Sequence, residues 1–458
     1  MNALERRSTF ALASIFALRM LGLFMIIPVF AIAGQQYYQY ATPALIGFAI
    51  GVYGLSQAIF QIPFSLWADK YNRKRLIIIG LVLFILGGAI AGWSENIYGV
   101  IVGRAIAGAG AISAVVMALL SDVTREEQRS KAMAMIGMSI GLSFIIAFSI
   151  SPWITHQIGM NGLFWLTSIM GLIAIGILSL VPNIQRFHSP VQQSYTQQLK
   201  QVLSMADLNK LHISIFILHL LLAAMFVYVP SQLVHYADIP LKEHGITYLP
   251  LLIVGLLCAF PCIILAEKYK KMREILLATI LLVIISFAVL SVGVQITSLL
   301  FIALGLFFIA FNIMEAILPS WLSKIAPLQS KATAMGINSS CQFLGAFCGG
   351  ILGGQLLLLN QHMLGWVILA VISIIWLIVA FQLNQPRYLS TIMLRLKQKA
   401  EQPEHLMQQL LNIHGVHEVI LMPDNEALHL KVERHKLTDE HKQQLEQLLQ
   451  QEVNFSLR

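Results

Sequence analysis

Twelve apolar stretches, each long enough to cross a lipid bilayer, restrict the fold of this 458-residue chain more than any other feature. A helical span needs about 20 mostly apolar residues, because about 1.5 Å of rise per residue must cover about 30 Å of hydrocarbon. The pattern predicts an all-α polytopic membrane protein with twelve transmembrane helices. The stretches lie near residues 10–33, 43–67, 76–94, 97–120, 132–155, 161–182, 211–236, 245–266, 274–294, 297–322, 333–358 and 362–383.

The composition excludes the main classes of water-soluble protein. Hydrophobic residues make up 57% of the chain and charged residues only 11%, which is too apolar for a soluble protein of this length. No Gly-Lys pair occurs, so the phosphate-binding loop of ATP-driven pumps is missing. No nucleophile, base and acid set stands outside the apolar stretches, and the four cysteines all lie within them. We therefore expect no enzyme activity, no cofactor and no metal site.

Two segments of the chain repeat at a nearly constant offset. The acid and basic cluster of 68–75 returns as 266–273, and the Lys-Ala-x-Ala-Met run of 131–135 returns as 331–335. Both copies of the first segment follow an apolar stretch, so the two halves should enter the membrane in the same orientation. The duplication predicts two six-helix bundles related as parallel repeats.

The distribution of basic residues predicts the orientation of the chain. Up to residue 383 there are 21 Lys and Arg, and 18 of them fall in the leader or in loops on one side of the predicted membrane. Lys242 alone lies in a loop on the other side, while Arg19 and Arg104 lie within apolar stretches. Loops rich in Lys and Arg stay in the cytoplasm, so both termini are predicted to be cytoplasmic. The net charge of +8 then reflects topology, and we expect no nucleic-acid partner.

A polar linker is predicted between the two bundles. The N-terminal bundle occupies 1–182 and the C-terminal bundle 211–383, which leaves 183–210 between them. Within the linker, apolar residues recur at helical spacing from Tyr195 to Lys210. This spacing predicts an amphipathic helix lying on the cytoplasmic membrane face. A solvated linker is the alternative.

A small cytoplasmic domain is predicted at 387–458, where the composition turns polar after a Gln-Pro-Arg boundary. Alternating apolar and polar residues, interrupted by turn residues, predict the order strand, helix, strand, strand, helix, strand. That order is typical of the split βαβ fold, and we expect the domain to be a regulatory or assembly module. The elements are predicted at 390–396, 403–412, 416–422, 427–432, 437–450 and 453–457.

Residues 65–75, between the second and third apolar stretches, carry an acid at Asp69 and a basic pair at Arg73 and Lys74. This run resembles the Gly-x-x-x-Asp-Arg-x-Gly-Arg-Lys loop signature of major facilitator superfamily transporters, although other residues replace both glycines. The run 104–111 in span four is similar to the family's Arg-x-x-Gln-Gly-x-Gly-Ala pattern, with alanine in place of Gln. The resemblance implies a membrane transporter of two six-helix bundles.

Four further runs narrow the resemblance to the YajR-type transporters of that superfamily, which carry a ferredoxin-like domain after span twelve. This narrower resemblance covers essentially the whole chain. It implies a multi-pass protein of the bacterial inner membrane, an antiporter that uses protons to export drugs. The runs are 18–22, 60–64, 118–122 and 310–316.

Three titratable residues inside apolar stretches are candidates for proton coupling, because an ionised side chain at mid-bilayer costs about 2.5–3.5 kcal/mol on insertion scales. Glu315 lies deep in span ten, where burial disfavours the charged carboxylate and suits binding and release of a proton. Permanent pairing with a basic or polar group is the alternative. His219 in span seven can titrate near neutral pH or act as a structural hydrogen-bonding group. The resemblance implies that Arg104 helps proton coupling, and a structural role for it is equally open.

The resemblance also assigns the loop after span two to a cytoplasmic gate. In the family, the equivalent of Asp69 faces the N-terminal end of span eleven, and the equivalent of Arg73 pairs with an acid that ends span four. Asp122 occupies that last position here, and Lys74 completes the basic pair. A negative charge near a helix N-terminus contributes about 0.3–1 kcal/mol, so several such contacts together could stabilise the outward-facing state. The alternative is that these charges only set topology.

A substrate cavity is expected between the two bundles. Arg19 in span one is a candidate to contact an anionic group. Four aromatic residues are candidates to line an apolar cavity for amphipathic or cationic compounds, although lipid-facing packing is the alternative for each. The other readings are transport of a small metabolite, such as a sugar or an organic anion bound by Arg19, and a membrane sensor whose tail binds the ligand. The candidate lining residues are Phe24, Tyr53, Phe308 and Phe343.

Overall fold

The computed structural model describes residues 1–182, 195–327, 330–359, 362–386, 390–395, 403–421, 427–433, 443–444 and 447. These residues are mostly helical, as the apolar stretches predict. The helices are α1 (Ala3–Phe24), α2 (Ile27–Tyr37), α3 (Pro43–Lys70), α4 (Arg73–Trp93), α5 (Ile97–Ala109), α6 (Ser113–Val123), α7 (Glu126–Leu178), α8 (Tyr195–Ser204), α9 (Ala206–Tyr236), the 3₁₀ turn Leu241–Glu243, α10 (His244–Lys268), α11 (Met272–Gly293), α12 (Thr297–Ile325), α13 (Lys331–Leu358), α14 (His362–Phe381) and α15 (Pro403–Leu411).

Eleven helical segments of the described chain are long and apolar enough to cross a membrane. The longest, Lys131–Leu178, extends over both the fifth and the sixth predicted stretches. Its backbone is interrupted at Gly159, where φ is 70° and ψ is 177°. Glycine adopts a positive φ without the steric penalty of a side chain, so the chain can turn there. The eleven segments therefore overlap all twelve predicted stretches, although the end of the first stretch lies in α2, outside the eleven.

Spans one and four are each built from two consecutive helices, which the hydropathy pattern does not predict. Span one breaks between α1 and α2, just before Pro28, which lies in the first turn of α2. Proline fits a first turn because its missing N–H needs no partner there. Span four breaks between α5 and α6, where a side chain on Gly110 would overlap the carbonyl oxygen of Gly80 in α4. The break in span four therefore lies where its backbone is in close contact with the backbone of α4.

The membrane helices of both halves belong to one compact unit, formed by Met1–Gln185, Asn209–Pro319 and Met335–Leu383. Within it, the N-terminal part of α3 packs against the C-terminal part of α13 through small residues. A side chain on Gly47 would overlap the carbonyl oxygen of Gly350, and a Cβ on Gly51 would lie 2.6 Å from that of Phe347. Small residues let helix backbones approach this closely. The two halves therefore contact each other at these helix ends.

A second compact unit comprises Arg186–Leu208, Ser320–Ala334 and Asn384–Arg458. The helix predicted in the linker is present as α8. Thr333, at the start of α13, donates a 2.7 Å hydrogen bond to Oε1 of Gln198 in α8. The linker helix is thus bonded to the segment that begins span eleven.

The C-terminal part of this second unit contains three of the predicted strands, β1 (Ser390–Arg395), β2 (Val416–Leu421) and β3 (Ala427–Val432). The spatial order is β1-β3-β2, and β3 is antiparallel to both neighbours. Helix α15 connects β1 to β2, as predicted. The predicted last strand, 453–457, lies outside the described residues, as does nearly all of the predicted helix at 437–450.

Candidate functional site

Glu315 lies in α12 at a polar site made with the neighbouring helices α9 and α13. Its Oε1 accepts a 3.3 Å hydrogen bond from the side-chain amide of Gln342, and its Oε2 lies 3.5 Å from Nε2 of His219. The Glu315 side chain is 39% exposed and that of His219 only 9%. The Glu315 side chain is therefore partly open while the imidazole is enclosed.

The hydrogen bonds fix the protonation pattern of the imidazole. Nδ1 of His219 lies 3.1 Å from the carbonyl oxygen of Ile215, which can only accept, so Nδ1 must carry the proton. Nε2 is then an acceptor and receives a 2.8 Å hydrogen bond from the amide nitrogen of Gln342. Gln342 thus uses its two N–H groups to link His219 with Glu315, in the amide orientation that satisfies both contacts.

One oxygen of the carboxyl group has no partner. Oε2 of Glu315 is buried and makes no hydrogen bond within the described part of the chain. An unpartnered buried carboxylate oxygen is costly, and a proton on the carboxyl group removes the charge that makes it so. The site therefore suits a carboxyl group that binds and releases a proton beside a neutral imidazole.

An aromatic cluster lies beside this site and joins the two halves. Rings from α7 meet a ring from α9: the centroids of Phe148 and Phe226 are 4.3 Å apart. The ring centroid of Phe226 also lies 5.8 Å from that of Phe308 in α12. The cluster reaches the polar site because the ring of Phe311 lies 5.9 Å from that of His219. These four rings are buried, so in this state they pack against one another.

Two of the four predicted lining residues belong to this cluster. Phe24 contacts Phe144 of α7 at 5.1 Å, edge to face, and Phe308 is a fully buried member. Tyr53 is also buried, but its ring lies under the guanidinium of Arg104. Phe343 contributes its backbone, because its carbonyl oxygen would lie 2.5 Å from a Cβ on Gly54.

Arg19 is enclosed by neutral partners. The side chain is 2% exposed, and it donates at 2.5 Å to Oε1 of Gln57 and at 3.1 Å to Oγ of Ser113. Its Nε has no hydrogen-bond partner, and no ion pair joins Arg19 to an acid of the described chain. A buried cation without a counter-ion is costly, so this group is suited to meet an anion.

Arg104 is held by the backbone of α3. It donates at 2.5 Å to the carbonyl oxygen of Ala49 and at 3.0 Å to that of Ile50, and its guanidinium lies 5.6 Å from the ring centre of Tyr53. These contacts all lie in the N-terminal half. Among the described contacts, none brings Arg104 to Glu315 or to the imidazole beside it.

The predicted gate charges are partly brought together. Arg73, at the start of α4, forms a 2.6 Å ion pair with Asp122, at the end of α6. It also donates to the carbonyl oxygens of Ala118 at 2.6 Å and Ala68 at 3.2 Å. The side chain of Asp69 lies outside the described part of the structure. The side chain of Arg73 therefore links the start of span three to the end of span four.

Lys74 has a different role, which the sequence did not indicate. Its Nζ donates at 2.6 Å to the carbonyl oxygen of Val181, just beyond the end of α7. In the second half, Nε of Arg273 donates at 2.7 Å to the carbonyl oxygen of Leu383, just beyond the end of α14. A cation at a helix C-terminus satisfies carbonyl groups that lack an intrahelical partner. Both copies of the repeated segment thus supply a basic side chain that caps the last span of their half.

Sequence reasoning missed Gln342, Phe144, Phe148 and Phe311. A neutral amide or a phenylalanine in an apolar stretch carries no electrostatic penalty that would single it out. In helices that are apolar on all sides, the period of hydrophobicity does not separate the inner face from the lipid face. The site therefore depends on packing that one sequence does not reveal.

Comparison with known proteins identifies the family. The Major Facilitator Superfamily profile matches residues 12–347. The chain is 40% identical over 436 residues to the inner membrane transport protein YajR of Escherichia coli (strain K12), covering 94% of each protein. It is 26% identical to multidrug resistance protein 2 of Bacillus subtilis (strain 168), covering 75% of this chain and 86% of that protein. The chain belongs to the major facilitator superfamily and is a multi-span membrane transporter, not an enzyme.

The fold agrees with solved transporters. A bacterial homolog of the human lysosomal transporter Spinster, crystallised in an inward-facing and occupied conformation, matches with a TM-score of 0.68 at 14% identity. The match covers 83% of this chain and 97% of that one. The human organic anion transporter MFSD10 matches with a TM-score of 0.63, also at 14% identity. At this identity the likeness concerns the fold alone.

Proposed function

Because the chain is a transporter of the major facilitator superfamily, we propose that it exchanges protons for amphipathic or cationic compounds by alternating access, and exports them. The observation that carries this proposal is the linked set of Glu315, Gln342 and His219 inside the membrane unit. A glutamate side chain that is partly open can bind either a proton or a cation. Because the proton and the cation compete for the same carboxyl group, movement of one across the membrane is coupled to movement of the other in the opposite direction.

The aromatic cluster supports a substrate with an apolar body. When Glu315 releases its proton, the carboxylate leaves a negative charge beside the rings of Phe308 and Phe311. An amphipathic cation can then place its charge near the carboxylate and its apolar part against the rings. When the proton returns, the attraction is lost and the cation is released. The multidrug resistance protein of Bacillus subtilis, whose sequence is similar, supports the same substrate class.

The helix contacts support an inward-facing state. In the predicted orientation the N-terminal ends of α3 and α10 lie on the outer side of the membrane. There α3 contacts α13, and a side chain on Gly245 of α10 would overlap the carbonyl oxygen of Ser149 in α7. Both contacts join one half to the other, so we propose that they close the outer entrance. In this state the cavity would open to the cytoplasm.

We propose a bacterial inner-membrane location with cytoplasmic termini, supported by the placement of basic residues and by the similarity to YajR. We also propose a ferredoxin-like C-terminal domain. The order β1-β3-β2, with α15 between β1 and β2, is that of the first four elements of such a domain. Its role would be self-association or a regulatory contact.

A thermal-shift experiment tests the exchange. Tetraphenylphosphonium should raise the unfolding temperature of the purified protein more at pH 8 than at pH 6, because a proton on Glu315 excludes the cation and a bound ligand stabilises the folded state. We expect affinity to fall by up to about tenfold per pH unit on acidification, the limit for one competing proton. The variant Glu315→Gln should lose this pH dependence. A stabilisation that is equal at both pH values in the unaltered protein would contradict proton–cation competition.

Arg73 and Asp122 provide a test of the gate. Replacing Asp122 with Asn removes the ion pair, in which Arg73 is only 9% exposed, and leaves a buried guanidinium with neutral partners. We expect a loss of about 1.5–3 kcal/mol of stability, the range for a hydrogen bond to a charged group, and slower transport. Thermal unfolding and flux measurements on the purified variant check this.

The control is Asp238→Asn, which removes the same charge from a loop position with φ of 54°, a conformation that Asn tolerates. Acidic residues contribute little to topology, so a gate role is contradicted if Asp122→Asn behaves like the control. Matching unfolding temperatures with slower flux in Asp122→Asn would show that the pair acts on the conformational change.

A second candidate function is export or uptake of an organic anion, favoured by the buried Arg19 without an acid partner in the described chain. Benzoate and gluconate would replace tetraphenylphosphonium in the same thermal-shift experiment. Stabilisation by an anion, lost in the variant Arg19→Gln and retained in Glu315→Gln, would favour this candidate over exchange with a cation.

A further inference from the structure

A second buried polar pair lies between α9 and α13, nearer their N-terminal ends than the Glu315 site. His212 of α9 faces the side-chain amide of Asn338 in α13. Both residues are 4% exposed. Neither residue has a part in the exchange described above.

This pair is incompletely hydrogen-bonded. Both ring nitrogens of His212 and the amide oxygen of Asn338 lack a hydrogen bond of normal length and angle within the described residues, although the amide of Asn338 interacts with the imidazole. A neutral imidazole always has one N–H donor and one acceptor, and leaving such groups buried without a partner is costly. Buried polar groups of this kind are usually satisfied by internal water, which needs two to four polar partners. His212 and Asn338 together supply that number.

The polar side chains of His212 and His219 in α9 and of Asn338 and Gln342 in α13 lie where these two helices meet. We call this row of side chains the strip. The backbones of the two helices touch, since side chains on Gly345 and Gly349 would overlap the carbonyl oxygens of Phe216 and Leu220. His212 precedes His219 by two helical turns, about 10 Å along α9. Asn338 precedes Gln342 by one turn, about 6 Å along α13. The strip therefore runs from the Glu315 site toward the N-terminal ends of both helices, which the predicted topology assigns to the cytoplasm.

We propose that His212 and Asn338 hold water that carries protons between Glu315 and the cytoplasm. His212 accepts a proton on one ring nitrogen and releases one from the other, so the imidazole ends neutral and one proton has moved. This role rests on the proposed exchange, because it supplies the proton that Glu315 binds. His212 is a positioning and relay residue, with no contact to the substrate.

A charged side chain also lies toward the N-terminal end of α9. There Nζ of Lys210 donates to the carbonyl oxygen of Gln382. From α13 the strip receives the neutral amides of Asn338 and Gln342, and from α12 it receives Glu315. The titratable groups along the proposed route are therefore His212, His219 and the carboxyl group itself.

Infrared spectroscopy tests the relay without a substrate. The carboxylic C=O stretch of Glu315, assigned by its loss in Glu315→Gln, is followed after a rapid pH drop on protein in nanodiscs. We expect His212→Phe and Asn338→Leu to slow its appearance at least tenfold while its final intensity is kept. His212→Gln, which preserves hydrogen bonding but cannot relay a proton, should also slow it. The control is His235→Phe, an exposed histidine on the same helix.

The outcomes separate the relay from the exchange. If the band titrates and all His212 and Asn338 variants follow the unaltered protein, the relay is wrong and the exchange stands. If no carboxylic band depends on Glu315, both are wrong. Each variant is compared only when its unfolding temperature matches that of the control, and His212→Gln serves if His212→Phe does not fold. If His212→Gln is the only variant that slows the appearance of the carboxylic band, that result is sufficient to support the relay.

Discussion

Replacing Glu315 with Gln is expected to reduce proton-driven flux to the level of liposomes without protein. Glutamine has nearly the same shape, and its amide oxygen can keep the hydrogen bond from Gln342. It cannot release a proton or carry a negative charge. The variant should therefore fold and insert normally, yet be unable to exchange a proton for a cation. This effect is the largest that we expect, because every cycle passes through the carboxyl group.

The measurement is tetraphenylphosphonium movement in proteoliposomes under an imposed pH gradient. The matched control is Glu243→Gln, which removes a carboxylate that is 52% exposed, in the turn before α10. If Glu315→Gln retains gradient-driven flux, Glu315 is not the coupling group. If flux is lost together with the unfolding temperature, Glu315 acts only as a structural partner of Gln342 and the imidazole.

The features that could be predicted from the sequence are those whose residues would be energetically costly in the wrong environment. Exposing 20 apolar residues to water is costly, so each span could be located from hydropathy alone. A carboxyl group in such a stretch is equally conspicuous, and Glu315 was identified for that reason. The pairing of Arg73 with Asp122 followed from the family resemblance, and the structure contains it at 2.6 Å.

Other features depend on the register between helices and could not be predicted. Gln342 links the two titratable groups, but an amide in an apolar span has no pattern that distinguishes it. The breaks within spans one and four depend on local packing, such as the contact of Gly110 with Gly80. Arg104 shows that a buried charge can be satisfied by backbone carbonyls, so burial of a charge alone does not distinguish a coupling residue from a structural one.

Replacing Gly47 with Ala is expected to open the outer side of the transporter. A methyl group there would overlap the carbonyl oxygen of Gly350, which belongs to a backbone and cannot rotate away. Relief requires α3 and α13 to separate, and overpacking of this kind costs about 1–3 kcal/mol. That cost falls only on the state in which the two helices touch. The population ratio of outward-open to inward-facing protein should therefore rise about 5- to 150-fold, and transport should slow accordingly.

Spin labels on Tyr40→Cys and Leu359→Cys, in a background without the native cysteines, measure the separation of the two helix ends by electron resonance. Gly336→Ala is the control on α13, because no atom lies within 4 Å of a Cβ at that position. Gly350→Ala, whose Cβ would lie 2.6 Å from the carbonyl oxygen of Gly47, should reproduce the longer distance from the other side of the contact. An unchanged distance in both variants would mean that this contact does not close the outer entrance. A longer distance in Gly336→Ala as well would attribute the opening to helix propensity and not to the contact, since alanine favours a helix over glycine by about 1 kcal/mol wherever it is placed.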